Sequence, residues 1–94
     1  MAKAIWHEKV LAESDDYKII EGNLYFPPES VRDEFLKESS RTTLCPWKGL
    51  ASYFDIEVEG ETNTGAAWYY PEPSKAADQI KDHVAFWKGV EVQK

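Results

Sequence analysis

The stretch of sequence that decides the fold class covers residues 50–61 and reads LASYFDIEVEGE. Within it, apolar side chains at Phe54, Ile56 and Val58 alternate with polar or acidic ones. Because successive side chains of a strand point to opposite faces of a sheet, a repeat of two is typical of a half-buried antiparallel strand. The pattern predicts a strand that buries one face in a core and turns the other to solvent.

Shorter segments continue this β-rich pattern along the chain. Extended structure is predicted at residues 9–14, 17–21, 24–26, 66–70, 83–87 and 90–92. The pair Gly22-Asn23 separates two of these segments, and both residue types tolerate a positive φ. Such a pair between two extended segments predicts a tight hairpin.

Two helices complete the predicted elements. The first is short and covers residues 28–35, and the second is longer, covers residues 74–82 and begins at the N-cap Ser74. We expect residues 37–43 to form a loop or to pair weakly at a sheet edge, and residues 60–65 to form a turn. This order of elements favours a mainly β fold: a bent antiparallel sheet or a small sandwich, with one short and one longer helix.

Length, charge and cysteine content limit the class of protein. Residues 1–94 match the usual size of one compact domain. The 17 acidic and 11 basic residues give a net charge of −6, which disfavours nucleic acid and anionic membrane surfaces as partners. A single cysteine excludes an intrachain disulfide and the tetrahedral zinc sites built from several cysteines, and no apolar run approaches membrane-spanning length. We expect a cytoplasmic protein and predict no cofactor.

The loop around the single cysteine is the first candidate for chemistry. A cation near a thiol enriches the reactive thiolate, and Lys48 follows Cys45 by three positions. Cys45 is therefore a candidate nucleophile or redox-sensitive thiol, or Lys48 and the loop amides form an anion site. The alternative is a small buried side chain in a proline turn. Either histidine, His7 or His83, would have to approach the thiol in space to form a catalytic pair.

Acidic residues give a second candidate site. Asp55, Glu57 and Glu59 project from one face of the predicted strand. Paired carboxylates can hold Mg²⁺ together with the phosphates of a nucleotide. The sequence has neither a glycine-rich phosphate loop nor an EF-hand pattern. We interpret these residues as the solvated face of a sheet, and no metal site is predicted.

The aromatic run Trp68-Tyr69-Tyr70 is the third candidate. On a strand, Trp68 and Tyr70 face one way and Tyr69 the other. Tyrosine and tryptophan favour half-wet positions because each carries a polar group. We expect one side of this strand to lie in the core, while the other side is open to a pocket or a subunit interface.

Five blocks of sequence resemble a known family: residues 10–14 (VLAES), 24–27 (LYFP), 43–53 (TLCPWKGLASY), 66–73 (AAWYYPEP) and 80–86 (IKDHVAF). In order and spacing they resemble the small, mostly bacterial family known as domain of unknown function 427, over nearly the whole chain. The resemblance implies a compact β-dominated domain, similar to zinc-binding tent-like folds without their metal cysteines. The family also carries a nucleotidyltransferase-like label. Its motif positions correspond here to Glu13, Tyr25, Pro27, Cys45, Pro46, Lys48, Gly49, Tyr53, Trp68, Tyr70 and Pro71.

Three hypotheses of function follow. The first is a binding module for a small polar or anionic ligand in a pocket near Cys45 and Lys48, because cation, carboxylate, thiol and ring groups are typical of such sites. Its predicted lining is Glu13, Tyr25, Cys45, Lys48, Trp68 and Tyr70. The second is an enzyme, either with Cys45 as catalytic nucleophile or with a nucleotidyltransferase-like activity. The third is a homodimer or other homo-oligomeric adaptor that pairs exposed sheet edges.

Overall fold

The alternating segment forms an inner strand of a four-stranded antiparallel sheet in the computed structural model, which describes all residues from Met1 to Lys94. The strands of the protein are β1 (Ala2–Trp6), β2 (Lys9–Ser14), β3 (Lys18–Ile20), β4 (Asn23–Tyr25), β5 (Leu36–Cys45), β6 (Gly49–Val58), β7 (Glu61–Tyr69), β8 (Ala85–Phe86) and β9 (Glu91–Gln93). Short 3-10 helices cover Pro28–Ser30, Asp33–Phe35 and Lys75–Ile80. None of these helical segments has the length or the apolar character to cross a bilayer.

The strands form three antiparallel sheets. The largest has the order β5-β6-β7-β8, the second has the order β2-β1-β9, and β3 and β4 form a separate hairpin. Neighbours along the chain pair with one another in most cases, as expected when short turns connect antiparallel strands. The prediction of a mainly β fold built from antiparallel sheets is confirmed.

Both faces of the largest sheet are covered, at different places along β6. Ile56 and Val58 are fully buried on one face, where they pack against the three-stranded sheet through Leu11 and Ala12. Tyr53 and Ala51 lie on the other face, in a second cluster that includes Tyr25, Tyr70 and Ile80 of neighbouring segments. Burying a large apolar side chain contributes about 1.5–3 kcal/mol, so both clusters stabilise the fold. The second cluster forms the base of the site described below.

Several predicted elements differ from those observed, for physical reasons. Residues 37–43 do not form a loop; as in the second alternative they pair at a sheet edge, in the ten-residue edge strand β5, whose polar side chains suit a solvent-facing edge. The turn predicted at 60–65 is confined to Glu59-Gly60, and β7 begins at Glu61. The helix predicted at 28–35 is two 3-10 helices, because Val31 between them bridges to Ala12.

The later helix and the early hairpin are close to their predictions. A helix is found within residues 74–82, but it is the six-residue 3-10 helix Lys75–Ile80 rather than a longer element. The β3–β4 hairpin is confirmed, but its turn lies one residue earlier than predicted, at Glu21-Gly22, because Asn23 pairs with Ile20 as the first residue of β4. Both turn residues have positive φ, 53° and 80°, which is the backbone of a tight type I′ turn. This turn brings Glu21 to the candidate site.

Candidate functional site

A cavity of about 190 Å³ opens on the face of the largest sheet that carries Tyr53. Its wall contains five aromatic side chains and one charged side chain. The lining residues are Tyr25, Lys48, Tyr53, Trp68, Tyr70 and Trp87. They come from β4, from the loop between β5 and β6, from β6, from β7 and its end, and from the residue that follows β8. The cavity is therefore a product of tertiary packing and not of any single element.

The aromatic rings of the wall stand mostly edge-on to one another. The ring centroids of Tyr25 and Trp68 are 6.2 Å apart at 89°, and those of Trp68 and Trp87 are 5.9 Å apart at 84°. Edge-to-face pairs are favoured because the positive rim of one ring meets the negative face of the next. The Trp68 indole N–H also donates to the Tyr25 hydroxyl at 3.2 Å. These contacts hold the rings of the wall in place.

The three tyrosine hydroxyls of the cavity wall differ in their hydrogen bonds. The Tyr53 hydroxyl hydrogen-bonds to the Thr43 hydroxyl at 2.9 Å, and the Tyr25 hydroxyl accepts from Trp68. The Tyr70 hydroxyl makes no side-chain hydrogen bond, although Tyr70 itself is buried. Burial raises the pKa of Tyr70 to about 12, against the opposite effect of the Lys48 charge. The Tyr70 hydroxyl is therefore a protonated donor at neutral pH.

The loop Pro46-Trp47-Lys48 points the Lys48 side chain into the wall of this cavity. Cys45 pairs with Gly49 across the base of the loop, and Gly49 has a φ of +114°, which favours glycine. The segment after β7 packs against the loop, where the Ser74 N–H donates to the Lys48 carbonyl at 2.9 Å. This support explains why Lys48 lies inward, with only 5% of its surface exposed.

Glu21 provides the counter-charge of Lys48 from the β3–β4 turn. One carboxylate oxygen accepts from the Lys48 ammonium, and the other accepts from the Trp47 indole N–H at 3.3 Å. The hydrogen bonds from Lys48 and Trp47 hold the pKa of Glu21 below its usual value. The Lys48 ammonium also lies 5.6 Å from the ring centroid of Tyr70, within cation–π range.

The protonation of Lys48 reflects two opposing effects. Burial acts to lower the pKa of Lys48, since a charged ammonium is less stable away from water. The hydrogen bond to Glu21, helped by the phenolic groups of Tyr25 and Tyr70, outweighs burial and leaves the pKa above its usual value. Lys48 is therefore a full positive charge at neutral pH.

The structure brings together four of the six residues predicted to bind a ligand. Tyr25, Lys48, Trp68 and Tyr70 line one cavity. Cys45 is half-buried and packs against the aromatic cluster that forms the base of the cavity, but it is not among the residues that line the cavity.

Glu13 and the two histidines lie away from this group. Glu13 sits on β2 of the three-stranded sheet and pairs with Lys3 at 3.6 Å. His83 contacts the Lys81 carbonyl and His7 stacks on Trp6, so neither is bonded to Cys45.

Three residues of the site were missed by sequence reasoning. Tyr53 was a motif position and was assigned to the polar side of its strand, yet it forms part of the cavity wall. Trp87 sits after the short strand β8, where no local pattern marks it. Glu21 is a turn residue 27 positions from Lys48, so only the tertiary structure reveals the pair.

The acidic strand residues have local structural partners. Asp55 accepts the Gly65 N–H at 2.7 Å and so stabilises the β6–β7 hairpin where its register shifts. Glu57 lies 4.0 Å from the Lys37 ammonium on the neighbouring strand. The structure contains no group of three or more His, Cys, Asp or Glu side chains placed to hold a metal ion.

Comparison with known proteins agrees with the resemblance of the five sequence blocks. The family model NTP_transf_9, described as Domain of unknown function (DUF427), matches residues 1–94. The chain belongs to the DUF427 family. No curated protein matches it. Of the eleven positions that the resemblance singles out, five line the cavity: Tyr25, Lys48, Tyr53, Trp68 and Tyr70.

Proposed function

We propose that this DUF427 protein binds a small anionic ligand in the aromatic cavity, with Lys48 as the group that holds the negative charge. The observation that carries this proposal is the burial of Lys48, the one charged side chain among the buried residues. An ion removed from water is costly unless an opposite charge compensates it. Glu21 supplies this charge from a turn where its side chain is 53% exposed, so an anionic guest in the cavity can share the Lys48 ammonium or take it over.

The surroundings of Lys48 support a ligand that has an apolar body as well as a charge. Small-molecule sites are typically apolar hollows with a few well-placed polar groups, and five of the six lining side chains here are aromatic. The Tyr70 hydroxyl is a donor without a side-chain partner. Arg41 adds a second cation, since its guanidinium lies 4.7 Å from the ring centroid of Tyr53 and 5.8 Å from that of Trp87.

Thermal denaturation with a panel of anions tests the proposal. The panel contains benzoate, inorganic phosphate, AMP and ATP, and the variant is Lys48→Met. We expect at least one anion to raise the melting temperature of the wild type, because a ligand that binds only the folded state stabilises it. The same anion should leave Lys48→Met unchanged.

The variant and its control make the result specific. Lys48→Met should fold, because methionine has a similar size and the carboxylate left unpaired, that of Glu21, is 53% exposed and stays in contact with water. Lys75 is exposed and forms no ion pair, so Lys75→Met is the matched control and should respond like the wild type. An equal response in Lys48→Met and the wild type would contradict the role of Lys48, and no response to any anion would contradict the proposal.

Catalysis is an alternative use of the same region. Cys45 packs against the aromatic cluster beneath the cavity, and the family name refers to nucleotide transfer. Incubation with ATP and Mg²⁺, followed by separation of nucleotide products, tests this alternative. Turnover that disappears in Cys45→Ser would support the thiol as nucleophile, whereas no turnover in the wild type would count against this activity.

A second candidate function is self-association through the β5 edge. Leu44 and Leu50 are cross-strand neighbours near the tip of the β5–β6 hairpin, and they are 75% and 50% exposed. The outer edge of β5 has no partner strand, and such edges pair readily with a second copy. Light scattering at increasing concentration tests this: a dimer lost in Leu44→Lys supports it, and a monomer throughout contradicts it.

A further inference from the structure

We propose that the ligand is a one-ring aromatic carboxylate, and that Glu21 is an intramolecular competitor which its carboxylate displaces from Lys48. This inference rests on the proposed function and names the chemical class of the ligand. It is carried by the size of the cavity, by the geometry of its rings and by the carboxylate that already contacts Lys48.

The size of the cavity limits the ligand to about one ring. A cavity of about 150 Å³ lined by apolar side chains accommodates benzene. Sites for larger, drug-sized molecules span about 300–1,000 Å³. The cavity here has a volume of about 190 Å³, which suits one six-membered ring with a short acidic substituent. A nucleotide, with base, sugar and phosphates, exceeds this volume.

The walls favour an aromatic ring over an aliphatic one. Tyr25, Trp68 and Trp87 present ring edges and faces at nearly right angles to each other. A flat aromatic guest can meet such a wall in edge-to-face or offset contacts, and each contact of this kind adds about 0.5–1.5 kcal/mol beyond area burial. A saturated ring of similar volume gains burial without these contacts. The geometry therefore discriminates between two ligands of equal size and charge.

The contacts of Glu21 indicate a carboxylate as the charged group. Its two oxygens accept from two different donors, the Lys48 ammonium and the Trp47 indole N–H. Of these two donors only Lys48 lines the cavity, so a planar group with two acceptor oxygens that enters the cavity meets the Lys48 ammonium through one of them. The Tyr70 hydroxyl, on the cavity side of Lys48, supplies one further donor.

Glu21 lies at the surface, where it can compete with a ligand for Lys48, and it is not part of the buried core. Its side chain is 53% exposed, whereas the Lys48 side chain that it contacts is 6% exposed. It sits on a two-residue turn, so its carboxylate can leave Lys48 without breaking any strand pairing. A ligand carboxylate that displaces Glu21 from Lys48 leaves the Glu21 charge close by on its turn, and like charges about 4 Å apart repel even in water. Removing the charge of Glu21 should therefore strengthen ligand binding.

The chain offers a matched control for a change at Glu21. Glu59 occupies the same position of an equivalent two-residue turn, with φ of 50° followed by Gly60, and it forms no ion pair. Glu59→Gln therefore makes the same chemical change in the same backbone setting, away from Lys48. An effect that is seen in Glu21→Gln and not in Glu59→Gln is then due to the contact between Glu21 and Lys48.

Calorimetric titration tests the inference with benzoate, cyclohexanecarboxylate, benzyl alcohol and ATP as probes. We expect benzoate to bind the wild type more tightly than the other three probes. We expect Glu21→Gln to bind benzoate about five- to tenfold more tightly, the scale of one like-charge contact in water. Glu59→Gln should bind benzoate as the wild type does.

Three other results would contradict part or all of this inference. Equal benzoate affinity in the wild type and Glu21→Gln would refute the competition, while a Lys48-dependent anion response would leave the proposed function intact. Tighter binding of cyclohexanecarboxylate or of ATP than of benzoate would refute the one-ring aromatic class. If no anion binds to the wild type or to Glu21→Gln, both the inference and the proposed function fail.

Discussion

Replacing Gly49 by alanine should destabilise the protein through the loop that carries Lys48. Gly49 has a φ of +114°, and a Cβ built there would lie 3.3 Å from the Glu72 carbonyl oxygen. That segment is held to the loop, because the Ser74 N–H donates to the Lys48 carbonyl. Backbone strain of this kind costs about 1–3 kcal/mol. Reduced freedom of the unfolded chain returns about 0.4–1 kcal/mol. The strain less this entropy is about 1 kcal/mol, and the close contact with the Glu72 carbonyl adds about 1 kcal/mol more, so we expect a net loss of about 2 kcal/mol.

Gly60→Ala separates the strain of the backbone from the close contact. Gly60 also has a positive φ, +83°, but no heavy atom lies within 4 Å of a Cβ built there. Its replacement should cost about 1 kcal/mol, the penalty of a left-handed conformation for a residue with a Cβ. The difference between the two variants is the contribution of the contact between Gly49 and the segment that follows β7.

Urea denaturation followed by tryptophan fluorescence measures both changes. We expect Gly49→Ala to lower the midpoint with an unchanged slope, because the exposed surface of the unfolded chain stays the same. In thermal melts the loss corresponds to roughly 10 °C for a chain of this size. Anion binding should weaken in Gly49→Ala and stay unchanged in Gly60→Ala. Equal losses of stability in the two variants would refute the reasoning.

Three further predictions test the site. The difference in unfolding free energy between the wild type and Glu21→Gln should be full at neutral pH and shrink below pH 4.5. Folding lowers the pKa of Glu21, so the stability that its carboxylate contributes is lost as the pH falls through the pKa of the folded state. A constant difference from pH 7 to pH 3 would contradict this. Cys45→Ser should change the affinity for an anion by less than about threefold in titrations, because Cys45 is outside the lining; complete loss would place the thiol in the site. Trp68→Phe should cost about 1 kcal/mol in urea denaturation, because it removes the hydrogen bond to the Tyr25 hydroxyl; an unchanged midpoint would show that this bond does not stabilise the fold.

The elements that sequence reasoning predicted well are those in which a local pattern reports burial. Ile56 and Val58 alternate with acidic residues, and both are fully buried on one face of β6. The β3–β4 hairpin was predicted because Gly22, which lies in its turn, tolerates a positive φ, while the turn itself begins at Glu21, one residue before the predicted pair. β1 was missed, although Ala2 and Ala4 are buried, because small residues give a weak apolar signal. β5 was uncertain because an edge strand needs no apolar face.

The sequence by itself determined the fold class, the family and four members of the cavity wall, because each depends on residue types in short, ordered blocks. Only the tertiary structure decided that Lys48 is buried, since its burial depends on a segment more than 20 positions later that packs against its loop. The pairing of Lys48 with Glu21 and the closure of the wall by Trp87 are likewise long-range contacts. A charge on a loop has the same local pattern whether it faces water or a cavity, and packing alone distinguishes the two.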